Sequence, residues 1–251
     1  YNSGSLLPYL DFDEIEKSKK KFFGYSDITA IQLAILKKTN LKPIYGGSLI
    51  PTFGEYEDIS PFLKNTLDNL FFKENYTLEE PEFYSNKLLN AFTDEWKTKK
   101  REYIKNEGWK ILNEGKIEAE VIVINIATLV SLLASEYVPT FKDKILILEE
   151  MNATIDSEER NLNTLKLSGV FEGVKGLIFG KPEVYNNKNS NLEYVDIIKE
   201  VLGERNYPII YNFDCGHTIP SLIISQDSLL SLKANHKTGI KVEILKNSYI
   251  D

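Results

Sequence analysis

The sequence predicts an α/β protein of two domains: an N-terminal Rossmann-like parallel sheet, truncated at its start, and a C-terminal mixed β-sheet with flanking helices. Three observations carry this. Between Phe22 and Thr39 an apolar run passes through "GYSD" into "ITAIQLAILKKT", where Ile28, Ile31, Leu33, Ala34 and Leu36 recur at roughly helical spacing, so the stretch reads as strand, tight turn, helix. After Ile117, four short apolar runs, "AEVIVIN", "KILILEE", "VKGLIFGK" and "YPIIYNF", alternate with helical stretches near 126–135, 157–168 and 193–202. That alternation predicts mainly parallel strands covered on both faces. The last forty residues alternate in period two about "NHKTG", which predicts an antiparallel hairpin.

In chain order, a short strand is expected in "KPIYGG" (42–47) and a helix over 59–71, with Ser60 as its cap and Pro61 in its first turn. Residues 1–73 then form a partial nucleophile-bearing domain, 74–117 a polar linker with two or three short strands, and 118–251 the C-terminal domain. The opening "YNSGSLLPYLDFDEI" reads as the middle of a domain and lacks an initiator methionine, so an N-terminal portion is expected to be missing from this sequence.

Composition narrows the function. The chain has 251 residues, 42% of them hydrophobic, enough to bury a sizeable core. Thirty basic against 37 acidic residues give a net charge of −7, which argues against nucleic acid as a partner. A single cysteine, Cys215, rules out an intrachain disulfide and fits a reducing, cytoplasmic setting. The longest apolar stretch, 121–134, is shorter than the roughly 20 residues of a membrane span, so no membrane partner is expected. With two histidines, one cysteine and no calcium-loop pattern, no metal site is indicated. No G-x-G-x-x-G follows a strand, so no nucleotide cofactor is expected either.

The candidate chemistry centres on Ser26. A strand leading into Gly24–Tyr25–Ser26 and then directly into a helix is the setting of a nucleophile elbow, although Ile28 stands where the usual pattern has glycine. The alternative is that Ser26 or Asp27 simply caps the helix. Of the two histidines, His236 lies in the turn "NHKTG", whereas His217 directly follows an apolar strand, where open α/β sheets place their sites. Glu149 and Glu150 end the strand "KILILEE", and a carboxylate there can orient an imidazole or remain solvated. Trp96 and Trp109 read as core or strand aromatics before ligand platforms.

Several separate stretches, in order, resemble the serine LD-carboxypeptidase family, which includes murein-tetrapeptide carboxypeptidases and microcin C self-immunity peptidases. They are "GSLLPYLDFDEI", "KKKFFGYSDITAIQLAI", "YGGSLIPTFGE", "NEGWKILNEGKIEAE", "ILILEE", "ERNLNTLKLSGVFEGVKGLIFGK" and "NFDCGHTIPSLIIS". The resemblance implies a cofactor-free serine carboxypeptidase with Ser26 as nucleophile, Glu149 as orienting carboxylate and His217 as general base. The backbone N–H of Asp27 is then an oxyanion donor. It also implies a small peptide or peptide-nucleotide substrate, a homodimer, and, from the microcin-immunity branch, a role for Trp96 in stacking on a nucleobase. Two departures stand out. A Gly-Gly pair of the family falls before the segment matching Tyr1–Ser3, and "AEVIVIN" places Ala119, Val123 and Ile124 where relatives carry glycines, so branched side chains are expected to narrow the site entrance or shift the next helix. The alternative these departures favour is a catalytically impaired protein that sequesters a small peptide or nucleotide-peptide conjugate.

Overall fold

A computed structural model of the chain describes residues 2–50, 52–56, 58–87 and 93–250. A 3-10 helix over Ser3–Tyr9 leads into α1 (Phe12–Ser18), whose first turn is capped by the Asp11 carboxylate. The expected strand, turn and helix follow as β1 (Phe23–Gly24), a 3-10 turn over Ser26–Ile28 and α2 (Thr29–Lys38). Every residue from Thr29 to Ile35 is buried, so α2 is an interior helix with no solvent face along most of its length. β2 (Ile44–Tyr45) pairs parallel with β1, and α3 (Pro61–Phe72) starts where Ser60 Oγ accepts the Leu63 N–H at 3.2 Å.

The polar middle segment supplies β3 (Tyr76–Leu78), β4 (Phe83–Tyr84), α4 (Glu95–Thr98), β5 (Ile104–Lys105) and β6 (Lys110–Asn113). There follow β7 (Gly115–Asn125), α5 (Ile126–Leu132), β8 (Ile145–Glu149), β9 (Asn152–Thr154), α6 (Ile155–Leu167), β10 (Gly176–Gly180), β11 (Val184–Asn186), α7 (Tyr194–Leu202) and β12 (Ile209–Phe213). β13 (Ile224–Ser225), β14 (Leu229–Asn235) and β15 (Gly239–Lys246) close the chain.

One eight-stranded sheet runs in the order β3-β15-β14-β7-β8-β10-β12-β6. Its four apolar runs, β7, β8, β10 and β12, are parallel to one another, and every residue of β8 and β10 is buried. Continuous hydrophobicity there reflects cover on both faces. The flanks are antiparallel: the hairpin β14–β15 on one side, β6 on the other. Along β7, Ile122 and Ile124 join the core under α2, α5, α6 and α7, while Val121 and Val123 join a second core with Tyr45, Trp109 and Leu222. Alternate residues of one strand thus seal two faces. The branched residues of "AEVIVIN" are therefore packing groups: Val123 and Ile124 are fully buried, and neither narrows a site entrance as their sequence context suggested.

β1 and β2 form a three-stranded sheet with β13, which is antiparallel to β2. A buried amide relay stitches this sheet to the large one. Gln32 Nε2 donates to the carbonyls of Gly24 (2.8 Å) and Ile44 (2.9 Å), and Gln32 Oε1 accepts from Gln226 Nε2 at 3.0 Å. Gln226 in turn exchanges hydrogen bonds with the backbone of Val123 at 2.8 and 2.9 Å. Satisfying every one of these buried polar groups fixes how the Ser26 turn meets the ends of the parallel strands. Among the described residues, no helix is long and apolar enough to cross a membrane.

Candidate active site

Ser26 stands between an extended Tyr25 (φ −152°, ψ −177°) and α2, with its own φ at +62°. A left-handed serine is disfavoured by about 1–2 kcal/mol and persists where its surroundings impose it. Here the Ser26 N–H is drawn to the Tyr45 hydroxyl at 3.2 Å. No side-chain cap is made at the start of the 3-10 turn or of α2, so the simple capping role considered for Ser26 and Asp27 is not what this geometry displays. The Asp27 carboxylate instead accepts the Ser3 N–H at 2.8 Å, and the Ser3 hydroxyl donates to the Asp27 carbonyl. Partial burial works to raise the Asp27 pKa, but hydrogen bonds from the N–H groups of Ser3 and Asn2 outweigh it and hold the carboxyl below its ordinary value.

Glu149 ends β8 with its side chain wholly inside the protein. One oxygen, Oε2, lies 2.7 Å from His217 Nδ1. The other accepts from the Tyr45 hydroxyl (2.6 Å) and from Asn125 Nδ2 (3.0 Å). Burial would push this carboxyl up, yet the imidazole charge and the three hydrogen bonds prevail and its pKa falls. For His217 burial acts downward, and Glu149, Glu150 and Glu183 reverse it, leaving the imidazole above its usual value. An ionised Glu149 can only accept, so Nδ1 carries the proton and Nε2 is left as the basic atom.

Space for this pair depends on two glycines. Gly216, at φ +135°, would bring a Cβ to 2.6 Å from Glu149 Oε2, and a Cβ on Gly180 would fall 2.5 Å from the Cys215 carbonyl oxygen and 2.9 Å from Glu149 Cβ. Neither position admits a larger residue without moving the carboxylate.

The loop bearing His217 is fastened on several sides. Its Gly216 N–H donates to Ser221 Oγ at 3.0 Å, and Ser85 and Ile219 exchange backbone hydrogen bonds at 2.7 and 2.9 Å. Behind it the buried Asp214 accepts from Lys181 Nζ (2.8 Å), Trp109 Nε1 (2.9 Å) and Asn106 Nδ2 (3.1 Å). The Tyr25 ring lies against the His217 imidazole, centroids 4.9 Å apart, which brings the residue before the serine to the histidine. Among the described residues no hydrogen bond joins Ser26 Oγ itself to His217.

Ser26 opens onto a cavity of about 610 Å³ whose wall also includes Asp27, Asn125, Thr128, Glu150 and Asn152. Glu150, the second of the paired glutamates, is not solvated. It accepts the N–H groups of Ala127 (3.0 Å) and Met151 (2.9 Å), and burial followed by the charge of Glu149 raises its pKa. A larger cavity, about 900 Å³, lies at the opposite ends of the strands among Lys142, Lys175 and Arg205, away from these groups.

Trp96 is half-buried on α4, with the Lys97 ammonium 5.3 Å over its ring, and does not line the Ser26 cavity. Trp109 is a buried core residue packed on Phe213 at 4.5 Å, and His236 sits in the exposed hairpin turn. Sequence reading missed Tyr45 and Asn125, which donate to Glu149, and Thr29, which bonds both of them. The available signal was topological: Asn125 and Glu149 end adjacent parallel strands and pair in register. Among the described residues, no group of three or more His, Cys, Asp or Glu is disposed to hold a metal ion.

The arrangement supplies a buried imidazole oriented by a carboxylate, a serine on a left-handed turn beside it, and a polar cavity at that serine. This is the equipment of nucleophilic acyl transfer. Residues 1–46 match the family model for the LD-carboxypeptidase N-terminal domain and residues 118–231 the one for its C-terminal domain. A putative carboxypeptidase of Vibrio cholerae is 34% identical over 88% of this chain, and the microcin C7 self-immunity protein MccF of Escherichia coli is 33% identical over 94%. The chain spans 66% and 69% of those relatives' lengths. A solved structure of MccF in complex with aspartyl sulfamoyl adenosine superposes with a TM-score of 0.87 at 32% identity, covering 97% of this chain and 72% of that one. With both halves matched in order, the chain belongs to the LD-carboxypeptidase family.

Proposed function

We propose that this protein is a serine carboxypeptidase that hydrolyses a peptide or amide bond near a free carboxylate. The observation that carries the reading is the 2.7 Å contact between His217 Nδ1 and a fully buried Glu149, beside the turn that holds Ser26 at φ +62°. Ser26 Oγ attacks the carbonyl carbon while His217 Nε2 takes its proton, and Glu149 holds the Nδ1–H tautomer and stabilises the imidazolium. The developing oxyanion is met by the Asp27 N–H at the start of the helix. His217 returns the proton to the leaving nitrogen, the acyl-enzyme forms, and a water deprotonated by the same imidazole releases Ser26.

The relatives support a choice of substrate class. MccF has been solved with aspartyl sulfamoyl adenosine and with glutamyl sulfamoyl guanosine, and a Bacillus subtilis relative, 25% identical, is described as a probable murein peptide carboxypeptidase. We favour an aminoacyl-nucleotide conjugate of the first kind for this chain, with Trp96 kept as the candidate side chain for the base although it lies outside the Ser26 cavity. Incubation with an aspartyl-adenylate mimic and with a murein L,D-tetrapeptide, followed by mass spectrometry, tests this. Release of the amino acid from the first by the wild type and not by Ser26→Ala supports the reading. Binding of either compound with no turnover points to sequestration, and neither binding nor turnover refutes it.

A further inference from the structure

We infer that Tyr45 is a positioning residue that ties the serine turn to the carboxylate–imidazole pair through one phenolic oxygen. The inference rests on the proposed roles of Ser26, Glu149 and His217 and adds a fourth side chain to them. Tyr45 is wholly buried on β2, and its hydroxyl is used to capacity. It donates to Glu149 Oε1 at 2.6 Å and accepts the Ser26 N–H at 3.2 Å and the Thr29 hydroxyl at 3.5 Å. Thr29 Oγ1 in turn accepts the Asn125 N–H at 3.2 Å. A hydroxyl has one proton and two lone pairs, and an N–H can only donate, so the direction of every bond is fixed: the phenol proton belongs to Glu149.

Two consequences follow for the chemistry. The Ser26 N–H is committed inward to Tyr45 and is not turned toward a substrate oxyanion. And because Glu149 Oε2 holds His217 while Oε1 holds Tyr45, the strength of the phenol's hydrogen bond sets how much negative charge the imidazole feels. Burial, and then Glu149, keep the Tyr45 phenol protonated well beyond neutral pH, so the bond persists across the working range. The groups facing His217 from its surroundings are Glu149, Glu150, Glu183 and the Tyr25 ring, and of these Tyr45→Phe loses a direct bond to Glu149 alone.

Removing the phenolic proton from Oε1 leaves more charge on the carboxylate, which binds the His217 proton more tightly. The chain contains only two histidines, and His236 lies in the exposed hairpin turn, so an NMR titration of the histidine ring resonances reads His217 with an internal control and requires no turnover. Tyr45→Phe is expected to raise the His217 pKa by about half a unit to one unit, the size of one hydrogen bond to a carboxylate, with His236 unmoved. Site-specific 3-fluorotyrosine at position 45, a stronger donor of nearly the same shape, is expected to lower it. That second substitution decides the matter if Tyr45→Phe does not fold. A His217 titration that is the same in wild type and in every folded variant overturns the inference and leaves Tyr45 as a packing residue. Because the titration is independent of activity, an inactive protein refutes the proposed function without touching this result.

Discussion

Glu158 offers a test of how this interior treats charge. It lies in the first turn of α6, wholly buried, with Oε2 3.4 Å from the Tyr194 hydroxyl and Oε1 without a hydrogen-bond partner among the described residues. Burial first, then the charges of Glu150 and Glu149, push its carboxyl from an ordinary 4.5 up to about 8. A folded pKa above the unfolded one means the native state holds a proton that the unfolded chain gives up, so stability contributed by the neutral carboxyl is present in full below about pH 4.5 and is lost progressively up to about pH 8. At pH 7 the unfolded glutamate is ionised and the folded one is not. The 2.5 units between pH 4.5 and 7 correspond to about 3 kcal/mol. Glu158→Gln keeps the shape and an acceptor for Tyr194 but does not titrate. The variant and the wild type are therefore expected to melt together near pH 4.5. By pH 7 the variant should melt some 6–12 °C higher, at roughly 2–4 °C per kcal/mol for a chain of this length. Differential scanning calorimetry across pH 4.5–8 measures this, and a gap in melting temperature that stays constant over that range would refute the reasoning.

Other consequences are quicker to state. Asp214→Ala strands the Lys181 ammonium, which is almost wholly buried 2.8 Å from that carboxylate, and is expected to cost about 3–5 kcal/mol in urea unfolding. Part of that loss should return when Lys181→Met is added, and no return would mean the pair is not the cause. Modification of Ser26 by a fluorophosphonate needs a neutral His217, whose pKa lies above the usual 6.5, so the rate is expected to rise with pH through a midpoint above that value. The same shift makes His217's own contribution to stability complete below pH 6.5 and lost as pH climbs through the raised value, a slope that His217→Gln should abolish in pH-dependent unfolding.

Much of the fold was legible because burial on both faces writes itself as uninterrupted apolar runs: "KILILEE" and "VKGLIFGK" became β8 and β10, and the period-two tail became β14 and β15. Two or three short strands were expected within 74–117 but not placed, and that β3 and β6 form the edges of the large sheet was not legible, since edge strands look like the polar segment around them. In the site, Ser26, Glu149 and His217 were visible as residues at strand ends. Tyr45, Thr29 and Asn125 were not, because a buried hydroxyl or amide is indistinguishable in sequence from a solvated one until the register that pairs Asn125 with Glu149 is known. Of the two effects expected of "AEVIVIN", a narrowed site entrance is not seen, because the side chains that replace glycines point into two cores, which one strand's text does not disclose.

The central claim is that an imidazole ordered by Glu149 activates Ser26. Peptide mapping after treatment with a fluorophosphonate measures it most directly. The adduct is expected on Ser26 in the wild type, and on no serine in the folded His217→Gln variant. Modification of Ser26 at the same rate without His217, or a wild type that takes up no label there, would contradict it.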